Sequence, residues 1–163
     1  MIKKIMFIMI LVSALSILSA QAAPSFMIEL LDGTSLKSED LLAEGPIFLD
    51  FWATWCQPCL RSMPKWSDFA EKYPDMQFYG ISIDKPRDKT KVVNQVKSAK
   101  YAFQVGFDPN KELAGLFNVG DAVPQLFIIS QTGEIVFEKK GFTTGDEVKV
   151  EEAINKVLKE SDK

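Results

Sequence analysis

The sequence predicts a single α/β domain in which helices flank a central sheet. Its 163 residues suit one domain and leave little room for two. Compact apolar runs alternate along the chain with polar stretches of helical pattern, which is typical of α/β proteins. With 47% apolar and 25% charged residues the chain can bury a core, so intrinsic disorder and collagen-like repetition are excluded.

The first 22 residues have the features of a secretory signal peptide. Lys3 and Lys4 give a positive start, residues 5–18 are almost wholly apolar, and residues 20–22 form an A-x-A cleavage site. We predict cleavage there, which leaves a domain of residues 23–163 in an oxidising compartment, the periplasm or another exported location. The alternative is an uncleaved segment that anchors the protein in the membrane by its N-terminus.

The first part of the domain predicts a hairpin, a short helix and a buried strand. Residues 26–31 alternate weakly between apolar and polar side chains and end at the turn signal Asp32-Gly33. Ser38 is placed to cap a short helix. Residues 47–51 form a compact apolar run with one acid, which predicts a central strand of the sheet.

The rest of the chain predicts alternating helices and strands. A helix over 56–73 is favoured because Pro58 fits a first turn and Pro74 ends the helical pattern. The charged run 84–91 predicts a solvated surface. The remaining elements are a strand over 77–83, a helix over 89–100, a strand over 101–107, a short helix over 111–117, a hairpin of strands 126–130 and 134–138, and a last amphipathic helix over 150–158.

Composition excludes several classes of function. The chain has no histidine, which removes Ser–His and Cys–His catalysis and histidine-ligated metals. Two cysteines are too few for a four-ligand zinc site or a scaffold of several disulfides. The net charge of −3 gives no broad basic surface, and no G-x-G-x-x-G fingerprint is present. We therefore expect no metal, no bound cofactor and no nucleic-acid partner.

The strongest chemical signal is the pair Cys56 and Cys59, which follows an apolar strand directly. A C-x-x-C motif in this setting indicates redox chemistry. At the start of a helix the Cys56 sulfur faces unpaired backbone N–H groups and the positive end of the helix dipole, which favours the nucleophilic thiolate. One turn later, Cys59 is near enough to close a disulfide with Cys56.

A purely stabilising disulfide is the structural alternative. Closing so short a loop stabilises a fold by only about 2 kcal/mol, against about 4.7 kcal/mol for a loop of 100 residues, so this bridge would be a poor cross-link. The intervening Gln57 and Pro58 carry no cation that would over-stabilise the thiolate. This favours a reducing couple over a strongly oxidising one.

The run from Phe51 to Cys59, FWATWCQPC, resembles the active-site segment of the thioredoxin superfamily, and most of all that of exported TlpA-like and ResA-like thiol–disulfide oxidoreductases. The similarity extends over nearly the whole predicted domain, to Met63-Pro64, Asp108-Pro109 and Val123-Pro124. The resemblance implies a thioredoxin fold with an N-terminal hairpin extension and a helix–strand insert over about 85–109.

The resemblance also implies roles for individual residues. Pro124 would be cis and face the cysteines, and the backbone of Val123 would pair with a substrate strand. From their places beside Cys56, Trp55, Gln57 and Pro58 are predicted as further substrate contacts, with packing in the core as the alternative for Trp55, whereas Trp52 is expected in the core.

Asp50 lies six residues before the first cysteine, where thioredoxins carry a buried acid. The resemblance implies that burial raises its pKa and that it takes the proton of Cys59 during turnover. The alternatives are that Asp50 is solvated at a strand end or is simply hydrogen-bonded.

Two positions depart from the pattern of the resembled families. TlpA-like proteins usually carry a glutamate three residues after the second cysteine, where this chain has Ser62. The lysine that accompanies the buried acid of thioredoxins is replaced by Gly80. The thioredoxin-style acid Asp50 is therefore expected to serve in place of the TlpA-style one.

The leading hypothesis is a reductase of disulfides in exported protein substrates, for example in cytochrome c maturation or thiol maintenance. Cys56 attacks, Cys59 resolves, and a membrane thiol reductant supplies the electrons. One alternative is a disulfide donor that uses the same site in the opposite direction. Another is a non-catalytic thioredoxin-like binding module.

Overall fold

The computed structural model describes residues 21–161. The first 20 residues of the predicted signal peptide lie outside this range. The last two of its 22 residues form a short strand, Gln21–Ala22, at the edge of the main sheet.

The elements alternate as the sequence predicts. The strands are β1 Gln21–Ala22, β2 Met27–Glu29, β3 Ser35–Lys37, β4 Ile47–Trp52, β5 Gln77–Ser82, β6 Gln104–Phe107, β7 Gln125–Ile129 and β8 Glu134–Lys140. The helices are α1 Ser38–Glu44, α2 Gln57–Lys72, α3 Lys89–Ala99, α4 Glu112–Leu116 and α5 Asp146–Ser161. A single 3-10 turn, Pro86–Asp88, precedes α3.

Six strands form one mixed sheet in the order β1-β8-β7-β4-β5-β6. Strands β4, β5 and β6 are parallel, whereas β7 runs antiparallel to both β4 and β8. All six residues of β4 are buried, as expected of a central strand with both faces covered. The loop after β4 therefore starts from a strand that is buried along its whole length.

The predicted N-terminal hairpin is present as β2 and β3, which form their own two-stranded sheet. The prediction that Ser38 caps α1 is wrong. Ser38 is the first residue of that helix, and its hydroxyl accepts a hydrogen bond from the Phe26 amide at 3.0 Å. Its side chain ties the helix to the hairpin, a partner that local pattern does not reveal.

Each face of the sheet carries its own hydrophobic cluster. One cluster packs α2 and α5 against the sheet and includes Phe48, Trp66, Ile128, Val150 and Ile154. The other packs the hairpin, α3 and α4 against the opposite face and includes Ile28, Leu49, Phe51, Val92 and Phe127. The mixed sheet with flanking helices confirms the predicted fold class.

Strand β6 is shorter than predicted because it begins at Gln104 rather than at residue 101. The rings of Tyr101 and Phe103 stack on each other with centroids 5.0 Å apart, so these apolar residues serve as packing outside the strand. Within residues 21–161, no helix has both the length and the apolar character needed to cross a membrane.

Candidate active site

The two cysteines lie where β4 ends and α2 begins. Cys56 precedes the first residue of α2 in extended conformation, and its amide donates to the Ala53 carbonyl at 3.0 Å. Its sulfur is joined to that of Cys59 in a disulfide, with the two Cα atoms 5.3 Å apart. Cys56 keeps 4% of its surface exposed and Cys59 none. Of the two sulfurs, that of Cys56 is therefore the one a large substrate can reach.

The Cys56 sulfur accepts a hydrogen bond from the helix that it caps. The Cys59 amide donates to this sulfur at 3.2 Å, which satisfies one of the free N–H groups of the first turn of α2. No acidic residue lies in that turn to oppose a negative charge. When the disulfide opens, the same amide and the helix dipole favour a thiolate on Cys56.

A loop between α4 and β7 covers the sulfur from the other side. The Val123–Pro124 peptide bond is cis, as the resemblance implied. The Val123 carbonyl oxygen lies 3.3 Å from the Cys56 sulfur, and Pro124 is buried behind it. The structure thus brings Val123, Pro124 and Cys56 together in one place.

The side chains beside Cys56 divide into exposed and buried ones. Trp55 is 57% exposed, Gln57 is exposed and Pro58 is half-buried. Trp52 is fully buried in the core, as expected. An exposed indole next to a reactive sulfur provides apolar area for a protein partner.

Asp50 lies in the middle of β4 with only 2% of its surface exposed. Neither carboxylate oxygen has a hydrogen-bond partner among the described residues, so the solvated and hydrogen-bonded alternatives do not apply. Burial raises the pKa of this carboxyl well above its usual value. The nearby indole N–H of Trp66 opposes the rise, although the two groups do not complete a hydrogen bond.

The side of Asp50 that faces β5 is closed by aromatic packing. Gly80 is the direct partner of Asp50 on that strand. A Cβ atom at Gly80 would lie 2.9 Å from the Phe103 ring and 3.3 Å from the indole nitrogen of Trp52. Any side chain at this position, lysine included, would therefore have to displace the Phe103 ring.

Ser62 has a structural contact at its position in α2. Its side chain is fully buried, and its hydroxyl donates to the Cys59 carbonyl at 3.0 Å. The Ser62 hydroxyl therefore hydrogen-bonds to the backbone of its own helix.

Asp84 is a residue of the site that sequence reasoning missed. We predicted that the charged run 84–91 is solvated, and for Asp84 this is wrong because its exposure is 0%. Its carboxylate accepts from the Thr54 amide at 2.9 Å, the Thr54 hydroxyl at 2.6 Å and the Ser82 hydroxyl at 2.9 Å. Asp84 thereby fixes the loop that carries Cys56, and only its place between an apolar strand and a proline could have hinted at burial.

Among residues 21–161, no cluster of three or more cysteine, aspartate or glutamate side chains is arranged to hold a metal ion. At the end of β4 the fold brings together a dithiol pair, a cis-proline loop and the buried carboxyl of Asp84, while Asp50 is buried within β4 itself. This set can exchange electrons with another sulfur and move a proton.

Comparison with known proteins points to the same chemistry. Residues 20–138 match the AhpC/TSA family. The thiol–disulfide oxidoreductase ResA of Bacillus cereus is 32% identical over 126 residues, which are 77% of this chain and 72% of that protein. ResA of Bacillus subtilis is 28% identical over 121 residues, covering 74% of this chain and 66% of that protein.

A solved structure supports the fold. The crystal structure from Chlorobium tepidum described as a thiol:disulfide interchange protein DsbE superposes with a TM-score of 0.77. The two sequences are 27% identical, and the match covers 85% of this chain and 96% of the other.

Proposed function

The chain belongs to the AhpC/TSA family and is a thiol–disulfide oxidoreductase, and we propose that it acts as a reductase of disulfide bonds in exported proteins. The observation that carries the proposal is the Cys56 sulfur, held at the N-terminus of α2 against the Cys59 amide and paired with a buried Cys59. The absence of a cation at Gln57 and Pro58 supports the reducing direction, because little beyond the backbone stabilises the thiolate.

In the first step the reduced protein attacks a substrate disulfide through Cys56. The Cys56 thiolate forms a bond to one substrate sulfur, and the other substrate sulfur leaves with the electron pair of the broken bond. A substrate strand that pairs with the backbone of Val123 would bring its sulfur to this point, since the Val123 carbonyl is 3.3 Å from the Cys56 sulfur. The exposed Trp55 would contact the apolar residues of the same strand.

In the second step Cys59 resolves the mixed disulfide. Its thiol gives its proton to the Asp50 carboxylate, and the resulting thiolate bonds to the Cys56 sulfur. The bond from Cys56 to the substrate breaks, and the substrate leaves as a thiolate that takes a proton from water. The substrate has gained two electrons, and the protein holds the Cys56–Cys59 disulfide.

The burial of Asp50 supports its role as this base. A carboxyl whose pKa is raised by burial binds a proton more strongly than an exposed carboxylate, so it is a better acceptor for a thiol proton. Its two oxygens have no other hydrogen-bond partner among the described residues and are free to take part.

The cycle needs an electron donor and a location. We propose that a membrane thiol reductant returns the pair of electrons to Cys56–Cys59, because the electrons enter and leave as thiols and no further cofactor is required. The positive start and apolar run of residues 1–22 support export to the periplasm or an equivalent compartment, with cleavage after residue 22 or retention as an N-terminal anchor.

The test combines activity, potential and trapping. Wild type is expected to reduce insulin disulfides with dithiothreitol as electron source, and Cys56→Ser is expected to have lost this activity. Equilibration with glutathione is expected to give a potential nearer to about −270 mV, as in thioredoxin, than to about −120 mV, as in strong oxidants. The Cys59→Ala variant is expected to hold partners as mixed disulfides that the Cys56→Ser/Cys59→Ala variant does not hold.

Other outcomes have defined meanings. A potential near −120 mV would reverse the direction and make the protein a disulfide donor. If wild type and Cys56→Ser reduce insulin disulfides at the same rate, the dithiol is not catalytic and the protein would be a non-catalytic binding module.

A further inference from the structure

Asp50 belongs to a row of side chains that crosses three strands. Asp50 on β4 pairs with Leu126 on β7, and Leu126 pairs with Lys139 on β8. Directly opposite residues of neighbouring strands point to the same face of a sheet, so all three project towards α2 and α5. Lys139 is therefore on the face of the buried carboxyl, although it lies at the far side of β7.

A cavity connects the two ends of this row. It is narrow, with room for about one water molecule. It is lined by Asp50, Trp66, Pro124, Lys139 and Asp146, together with neighbouring apolar residues. The cavity thus reaches from the carboxyl, past the cis-proline, to a charged pair.

The other space beside Asp50 offers no such connection. It is about 140 Å³ in size, is lined by aromatic side chains such as Phe48, Phe78 and Phe103, and has no room for water. Of these two spaces beside Asp50, the one that Lys139 and Asp146 line is therefore the polar one.

These two residues form a partly buried ion pair. The Lys139 ammonium nitrogen lies 3.0 Å from a carboxylate oxygen of Asp146, and their side chains are 25% and 15% exposed. The same carboxylate accepts from the Thr143 amide and hydroxyl, each at 2.8 Å. Mainly through the Thr143 amide, this arrangement lowers the pKa of Asp146 to about 2, so Asp146 is ionised at neutral pH.

The charges around Asp50 are few within the described part of the chain. Helix α2 presents Trp66, β5 presents Gly80 and β7 presents Leu126, none of them charged. The aromatic side includes Tyr79, whose hydroxyl donates to the Gln77 side chain at 3.3 Å. The remaining titratable groups that line the spaces beside Asp50 are Lys139 from β8 and Asp146 from α5.

We propose that Lys139 and Asp146 form the solvent end of the route by which Asp50 exchanges its proton, with Lys139 as a positioning residue that supports the ionised carboxylate. The inference rests on the role of Asp50 in the proposed function. After Cys59 has given its proton to Asp50, the protonated carboxyl passes that proton through the cavity to water at the ion pair. The carboxylate is then restored for the next turnover, and no electrons move in this step.

Replacing one or the other member of the ion pair should shift the pKa of Asp50 in opposite directions. Replacing Lys139 leaves the Asp146 anion alone beside the cavity, and a like charge disfavours ionisation of Asp50. Replacing Asp146 leaves the Lys139 cation unopposed, which favours ionisation of Asp50. A residue needed only for folding would not give shifts of opposite sign.

The experiment compares Lys139→Met, Asp146→Asn and the matched control Lys140→Met in the full chain. Methionine retains the apolar stem, and asparagine still accepts from the Thr143 amide. Lys140 is the neighbour whose side chain points to the other face and is 66% exposed beside Glu138. The Asp50 carboxyl is titrated by ¹³C NMR in the oxidised protein and is assigned by the loss of its signal in Asp50→Asn.

A kinetic measurement separates the two thiol steps. Reduced protein reacts with 4,4′-dithiodipyridine, the first release of thiopyridone reporting attack by Cys56 and the second reporting ring closure by Cys59. We expect Lys139→Met to shift the pH profile of the second release to higher pH, so that this release is slowed at neutral pH, and to leave the first release unchanged. Asp146→Asn is expected to extend the fast second release to lower pH, and Lys140→Met to behave as wild type.

The outcomes separate this inference from the proposed function. The inference is overturned if Lys139→Met and Asp146→Asn shift the Asp50 titration in the same direction, or no more than Lys140→Met does. If Asp50→Asn leaves the second release unchanged, the role of Asp50 and this inference are both lost. A fast first release would still demonstrate thiol exchange by Cys56.

Discussion

Two buried carboxyls, Asp50 within β4 and Asp84 after β5, differ in their hydrogen bonds. Asp84 has no exposed surface and accepts from the Thr54 amide, the Thr54 hydroxyl and the Ser82 hydroxyl. Asp50 is 2% exposed and accepts none from the described residues. Burial alone therefore does not determine the role of an acid. A carboxylate whose oxygens are occupied holds the chain in place, whereas one without partners can take up a proton.

The largest effect on stability is expected from removing the carboxylate of Asp84, which accepts three hydrogen bonds. Asp84→Ala leaves the amide and hydroxyl of Thr54 and the hydroxyl of Ser82 without their acceptor in a buried site. We expect the free energy of unfolding of the oxidised protein to fall by about 3 kcal/mol in urea at pH 7. The exposed Asp75→Ala serves as control, and an equal, small loss in both variants would contradict a holding role for Asp84.

Removing the carboxyl of Asp50, which has no hydrogen-bond partner among the described residues, should stabilise the protein rather than destabilise it. Between its ordinary pKa and its raised pKa, Asp50 keeps its proton in the folded chain and loses it in the unfolded one. The unfolded state then binds fewer protons, so the free energy of unfolding falls as pH rises through this window. Asp50→Asn has no carboxyl to ionise and so does not suffer this loss, and we expect it to be more stable than the wild-type oxidised protein at pH 8.

The pH dependence is the informative part of that measurement. At about pH 4 the wild-type carboxyl is protonated in the folded state, so the gain from Asp50→Asn should be close to zero there. Urea unfolding of both proteins at several pH values between 4 and 8 gives the full curve. A gain that is the same at every pH would mean that ionisation of Asp50 is not its cause.

A smaller effect is expected from the hydroxyl that binds Asp84. Thr54→Val keeps the shape of the side chain and removes the donor that lies 2.6 Å from the carboxylate. We expect a loss of about 1.5 kcal/mol in the free energy of unfolding, and Thr54→Ser should lose less because it retains the hydroxyl. A double-mutant cycle with Asp84→Ala should recover most of this energy as coupling, and strictly additive losses would contradict the pairing.

The parts of the site that could be predicted are those determined by local sequence. The spacing of Cys56 and Cys59 after an apolar strand predicts a thiol at the N-terminus of α2, and the structure has the Cys59 amide donating to the Cys56 sulfur. The cis bond before Pro124 followed from the family resemblance and not from the residues themselves. Spacing alone does not distinguish a cis from a trans proline.

The parts that could not be predicted depend on partners distant in the sequence. Ser38 looked like a helix cap and instead accepts from the Phe26 amide of the hairpin. Asp84 stands in a run of charges, and nothing in that run indicates that Thr54 will supply two hydrogen bonds. A local pattern reports how polar a segment is, but it does not report which donors the fold brings to it.

The amino-acid sequence alone determines an α/β domain with a dithiol at the start of a helix. These features can be predicted because apolar periodicity and helix capping act over a few neighbouring residues. The tertiary structure determined which buried carboxylate accepts hydrogen bonds, Asp84, and which accepts none from the described residues, Asp50. Strand register places Lys139 in line with Asp50, and aromatic packing over Gly80 closes the opposite side. Hydrogen bonds and charge interactions act through space, so only the folded chain determines the chemistry of these carboxyls.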